Sequence, residues 1–264
     1  MRPILILGAG RMGGALCAGW QAAGAIAPSD LIIREPFPGA DVLALAEAGA
    51  RLNPPDEILA EAGTVLLAVK PQIWREAVEG ISDLLAADAV IVSIAAGVSA
   101  ADISTAFGGR QVARVMPTTA VAIRQGTASV FAETPEARAA ARALFAPVGT
   151  VVELAREDLM HAATAVSGSA PAYLYAFVEA LEAAGVQAGL PQESAERLAR
   201  ATLTGAAALL AQSGEDPGEL RRQVTSPGGT TQAALNVLMG EGGLGPLLDQ
   251  AVAAAVARSR ELGV

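Results

Sequence analysis

Aromatic residues are scarce in this chain of 264, at 3%, and it has one cysteine, one histidine and one lysine. Each shortage removes a class of chemistry. Cys17 alone permits no internal disulfide, and its place in the helix expected after the first glycine loop makes it a small buried thiol rather than a nucleophile. One Cys and one His cannot build a zinc site of the common Cys/His kinds, so no metal is expected. His161 is the only partner available for a Ser-His or Cys-His couple, which makes triad chemistry a poor explanation. Long apolar runs are missing too: Gly, Pro or charge breaks each one well short of the ~18 residues of a membrane span. The formal net charge is −9 and no basic cluster occurs, which argues against nucleic acid or an anionic membrane as partner. The first residues run at once into PILIL, without the basic region and cleavage site of a signal peptide, so a cytoplasmic protein is expected. Of 18 basic residues only Lys70 is lysine, which points to a place where a guanidinium does not serve.

What the chain does have is apolar sequence, 52% of it, and enough length for about two domains. Residues 3–7 form a short apolar run that suits a buried parallel strand, and GAGRMG follows, leading into an amphipathic stretch through Ala23. Gly8, Gly10 and Gly13 thus make G-x-G-x-x-G between a strand and a helix, the setting of the dinucleotide fingerprint. Gly8 permits a tight turn, Gly10 a close approach of pyrophosphate, and Gly13 the packing of helix on strand. A second strand over 30–33 ends beside Arg34, where an NAD enzyme usually places an acid, so NADP(H) is preferred and NAD(H) possible. Glu35 takes the acidic role if that strand ends later.

The alternation continues with a helix over 41–48, a strand at Arg51, a helix over 55–62 and a strand over 64–68 that Lys70-Pro71 closes. Lys70 lies at the carboxyl end of a strand, where ligands bind in such sheets. A strand over 89–94 ends in Ala95-Ala96-Gly97, small enough for a flat ring to lie against the backbone. A helix from Ser99 and a strand over 111–116 follow. Strands over 127–130 and 149–153 then flank a helix opened by Thr134-Pro135-Glu136, a cap with proline at the first helical position. The fold class is therefore α/β: an N-terminal doubly wound Rossmann domain over 1–155, then an all-α domain over 156–264.

In that second half the expected helices span 157–166, 170–184, 191–212, 216–224, 230–240 and 244–262. Several are apolar on more than one face, and a second subunit is the expected cover. Two loops are too specialised for mere connectors. TSPGGTT, from Thr225, puts Gly228-Gly229 and the hydroxyls of Ser226, Thr230 and Thr231 where a helix begins, which reads either as an anion cradle or as a Thr-capped turn. VSGSAPAY, from Val166, is the second such loop, small, hydroxylated and closed by proline.

Together GAGRMG, AVKPQ from Ala68, RVMPTT from Arg114, VSGSAPAY and VTSPGGTT from Val224 resemble the pyrroline-5-carboxylate reductase family over essentially the whole chain. The resemblance implies that Gly8, Gly10, Met12 and Gly13 hold the pyrophosphate, Arg34 the 2′-phosphate, and Val69, Lys70, Ala95 and Gly97 the ribose and nicotinamide. Arg11, Ala68, Pro71 and Ala96 stand beside them as cofactor-binding residues. It also implies that Gly228, Gly229 and Thr230 bind the substrate carboxylate through backbone N–H groups, with Ser226 in the same loop and Glu157 near the site. Thr231 is the implied catalytic residue, its hydroxyl reaching the imine nitrogen. A homodimer joined through the helical half, gathered into a decamer, is implied as well. The chain departs from the family pattern at Pro55, Thr118, Ala170 and Gln223, and Asn53 stands near enough to replace the cofactor contact that Pro55 lacks.

The chemistry suits this inventory. Reducing a cyclic imine needs hydride from the nicotinamide and a proton on nitrogen, with no strong base and no metal. Another two-domain reductase of the 3-hydroxyacid dehydrogenase kind shares the glycine loop, yet such enzymes use a lysine in the helical half and none follows Lys70. A non-catalytic dinucleotide-binding oligomer explains the glycines but does not require TSPGGTT.

Overall fold

The structure is a computed structural model that describes residues 2–262. Two compact units make it up, one running to Gly168 and joined again by the chain from Ala255, the other spanning Ser169–Ala254.

The first unit is built on an eight-stranded sheet. Its strands are β1 (Ile4–Leu7), β2 (Leu31–Arg34), β3 (Arg51–Leu52), β4 (Thr64–Leu67), β5 (Val90–Ser93), β6 (Val112–Pro117), β7 (Gly126–Ala132) and β8 (Gly149–Glu153), in the spatial order β3-β2-β1-β4-β5-β6-β7-β8. The strand order reverses between β1 and β4, the switch point where doubly wound sheets bind their ligands. All neighbours pair parallel except β6 and β7, which form an antiparallel hairpin with Met116 opposite Ser129.

Alternation along the strands sets the two cores. Ile4 and Ile6 point to one face with Leu16, Trp20 and Phe145, and Leu5 and Leu7 to the other with Leu59, Trp74 and Phe107. Helices α1 (Arg11–Ala23), α2 (Ala40–Glu47) and α5 (Pro135–Phe145) supply the first face. The second is covered by α3 (Trp74–Val78), α4 (Ala100–Ala106) and 3-10 turns. The buried Trp20 donates its indole N–H to the Leu144 carbonyl at 2.6 Å, so its polar atom is satisfied as its ring fills the core.

Two expected elements take other forms. The stretch expected as a helix over 55–62 is a 3-10 helix, Asp56–Glu61, entered from Pro55. Its Leu59 and Ala62 are fully buried, so the tighter winding still delivers an apolar side to the sheet. VSGSAPAY is no loop: α6 (Leu159–Ala163) runs into a π-helical turn over Thr164–Gly168, and α7 (Ala170–Gln187) starts with Pro171 in its first turn. Ser167 donates to the Ala163 carbonyl at 2.7 Å and Thr164 to that of Met160 at 2.8 Å, so the hydroxyls feed the helix backbone there.

The second unit is helical: α7, α8 (Gln192–Ser213), α9 (Pro217–Gln223), α10 (Thr230–Leu238) and the first part of α11 (Leu244–Glu261). Helices α7 and α8 approach closely where Gly185 meets Ala195, and Arg200 reaches Glu182 at 2.8 Å. Large apolar side chains nonetheless stay in the open here, among them Tyr175, Leu198, Leu209, Val237, Met239 and Leu247. Among the described residues no helix is long and apolar enough to cross a membrane.

Candidate active site

The three fingerprint glycines differ in the space around them. Gly8 has φ +88°, and a Cβ there would lie 2.7 Å from Val69 Cγ1. A Cβ on Gly13 would lie 2.6 Å from the Gly8 carbonyl oxygen, so α1 can sit on β1 only without one. Gly10 is the opposite case, with nothing within 4 Å. A Cβ at Gly10 would meet no protein atom, only what lies over the loop. No side chain caps the start of α1, whose first N–H groups therefore stay available to an anion.

Along this carboxyl edge runs a cavity of about 420 Å³ lined by Gly8, Gly10, Arg11, Met12, Ala68, Val69 and Lys70 together with Ile94, Met116 and Pro117. A neighbouring cavity of about 560 Å³ shares Gly8, Glu35, Val69 and Ile73 with it and adds Arg34, Phe37, Asn53 and Asp56. Gly13 stands behind the loop, Pro71 opens a 3-10 turn, and the Ala95-Ala96-Gly97 segment follows β5 without lining either cavity. Within it Ala95 is buried and Gly97 has φ +80°.

At the far end of the groove β2 stops at Arg34, so Glu35 lies beyond the strand. Its carboxylate accepts the N–H of Ala9 at 2.8 Å and that of Phe37 at 3.0 Å, which ties the glycine loop to the turn after β2. Asn53 clamps the same residue, accepting the Glu35 N–H at 3.0 Å and donating to its carbonyl at 2.9 Å. Asn53 has φ +44°, a conformation that asparagine tolerates better than most residues. Its amide is thus engaged with Glu35 while the residue still lines the outer cavity. The Arg34 guanidinium is ion-paired to Asp56, while its Nε is buried with no partner. An orphaned guanidinium N–H beside an open cavity, an uncapped helix start and an unobstructed Gly10 fit a dinucleotide carrying a 2′-phosphate. Sequence reasoning missed Asp56, since no spacing rule links an acid in a 3-10 turn to a cation on a distant strand.

Glu157 binds within the protein. One carboxylate oxygen takes the guanidinium of Arg114 at 2.8 Å and the N–H of Ala100 at 2.7 Å, joining β6 to the first turn of α4. Arg114 is almost wholly buried, so Glu157 supplies the charge it needs there. Nearby, His161 Nδ1 and the Ser259 hydroxyl lie 3.0 Å apart. Burial, then the charges of Arg114 and Arg260, hold the His161 pKa below its ordinary value. Burial pushes the Cys17 thiol up to about 12, far from any role as a nucleophile.

In the second unit TSPGGTT joins α9 to α10. Gly228 has φ +70°, the Gly229 N–H donates to the Ser226 carbonyl at 3.0 Å, and Gly229 is the N-cap residue of α10. No side chain caps that helix, so the Thr-capped reading of the loop is set aside. The first helical bond runs from Ala233 to Gly229, which leaves the N–H groups of Thr230 and Thr231 at the open end of the helix.

A Rossmann sheet with a dinucleotide groove, followed by a helical unit in which α10 starts without a side-chain cap, fits a nicotinamide-dependent oxidoreductase. Residues 157–262 match the family described as pyrroline-5-carboxylate reductase dimerisation, and residues 3–97 match one described as NADP oxidoreductase, coenzyme F420-dependent. The chain is 38% identical to pyrroline-5-carboxylate reductase of Glycine max, over 97% of this chain and 94% of that protein. The structure of such a reductase from Coxiella burnetii superposes with a TM-score of 0.91 at 31% identity, covering 100% of this chain and 98% of that one. The Plasmodium falciparum pyrroline carboxylate reductase, solved with NADP bound, gives 0.83 at 25% identity, covering 99% and 98%. The chain belongs to the pyrroline-5-carboxylate reductase family.

Proposed function

We propose that this chain reduces L-1-pyrroline-5-carboxylate to L-proline, the last step of proline biosynthesis, with NADPH preferred over NADH. The observation that carries the reading is the uncapped start of α10 in VTSPGGTT, an anion cradle without a cationic side chain. Bound NAD(P)H supplies the hydride. Gly8, Gly10, Arg11, Met12 and Gly13 hold its pyrophosphate and Arg34 its 2′-phosphate. Ala68, Val69, Lys70, Pro71 and Ala95 to Gly97 seat the ribose and nicotinamide. Gly228, Gly229 and Thr230 offer backbone N–H groups to the substrate carboxylate, with the Ser226 hydroxyl beside them, which fixes the ring before reaction. Thr231 offers its hydroxyl to the ring nitrogen, which must carry a proton as the carbon accepts hydride. Glu157 serves the site by holding Arg114 and the start of α4, a positioning role supported by its hydrogen bonds.

The division of labour falls near Glu157, where the dimerisation match begins: cofactor binding over 1–155, substrate binding and dimerisation over 156–264. The open apolar side chains of the second unit support a homodimer, and the decamer is the further assembly we propose. The setting proposed is the cytoplasm. The 3-hydroxyacid reading shares the glycine loop but lacks its catalytic residue, because the helical half carries no lysine. NADPH oxidation tests the proposal: pyrroline-5-carboxylate should be turned over, and a chain that instead oxidises 3-hydroxyacids with NADP⁺ would refute it.

A further inference from the structure

We propose that Asp56 is a cofactor-specificity residue that opposes the 2′-phosphate, so that preference for NADPH is held below what Arg34 alone would give. The proposal rests on the cofactor reading above. Among the described residues Arg34 is the only cation lining the outer cavity, and it shares that lining with three carboxylates, Glu35, Asp56 and Glu79, of which Asp56 is ion-paired to it. They behave differently. Glu35 is committed to the N–H groups of Ala9 and Phe37 and to the Asn53 clamp, so it belongs to the frame of the loop.

Asp56 has no such commitment to the backbone. Its side chain is 62% exposed at the start of the 3-10 helix and binds the guanidinium of Arg34, whose side chain is 28% exposed. An incoming 2′-phosphate must therefore share Arg34 with a like charge held against the same guanidinium. A 2′-hydroxyl meets no such opposition, since a carboxylate is an acceptor for it. Asp56 thus opposes one of the two coenzymes only.

The test is equilibrium binding by calorimetry of adenosine 2′,5′-bisphosphate and of ADP to the full chain and to Asp56→Asn. Asparagine keeps the shape and a hydrogen-bond acceptor but removes the charge. The bisphosphate should bind about three- to tenfold more tightly to Asp56→Asn, the size of one partly exposed charge interaction, with ADP changed less than about twofold. The KM for NADPH should fall in step. A ratio of the two affinities that is unchanged, that falls, or that rises only because ADP binds worse would overturn the proposal. Failure of the unmutated chain to bind either nucleotide would remove the cofactor reading itself, and the proposal with it.

Discussion

At the scale of single residues, chemistry falls to a hydroxyl and selectivity to a charge. Thr231→Ala should slow hydride transfer in single turnover by about tenfold to a hundredfold, at or below the lower end of what a positioned acid contributes, because a cyclic imine also takes protons from water. Cofactor affinity should be unchanged, and Thr231→Ser should recover much of the rate. An alanine variant with an unchanged rate at saturating substrate would reduce Thr231 to a helix residue. Arg34→Glu should weaken NADPH binding and leave NADH nearly as it was, whereas equal loss for both would show that Arg34 is not the selector. Much of this was legible: Arg34 and the hydroxyl-rich turn are marked by position at the end of a strand and before a helix. The partners were not. Asp56 on Arg34, Asn53 on Glu35 and Glu157 on Arg114 are contacts between distant segments, and they depend on side-chain reach that no periodicity encodes.

At the scale of elements the two glycines that flank the start of α1 should separate fold from function. Gly13→Ala pushes a methyl group into the Gly8 carbonyl and should cost about 1–3 kcal/mol, read as a lowered denaturant midpoint. Gly10→Ala has room and ordinary dihedrals, so stability should hold while cofactor binding is lost. A Gly10→Ala protein that binds the nucleotide normally would mean that the phosphates do not approach this loop. The tie from His161 in α6 to Ser259 in α11 has its own pH signature. Because the folded pKa of His161 is depressed, the unfolded chain binds more protons below 6.5, and stability should fall as pH drops from 6.5 through the folded pKa. His161→Gln should flatten that decline in a series of thermal melts, and an unaltered slope would place the acid sensitivity elsewhere. Strands of unbroken apolar residues were easy to foresee because burial on both faces writes itself into four consecutive positions. The 3-10 helix after Pro55 and the π-helical turn at Thr164–Gly168 were not, since they use the same residue types as a helix or a loop and differ only in winding.

At the scale of the whole molecule the helical unit leaves many large apolar side chains exposed, with Val237 76% exposed and Tyr175 65%. Light scattering should give a dimer or a multiple of it, and Val237→Asp should weaken the assembly; an active monomer at low concentration would end that part of the account. The assembly was foreseen from helices apolar on several sides, while its size depends on geometry between copies that composition does not specify. The central claim is hydride transfer to a cyclic imine, and isotope transfer tests it most directly. NADPH carrying deuterium at the transferred position should give proline one mass unit heavier, labelled at the ring carbon that was double-bonded to nitrogen. Unlabelled proline, or NADPH consumed without proline, would contradict the account.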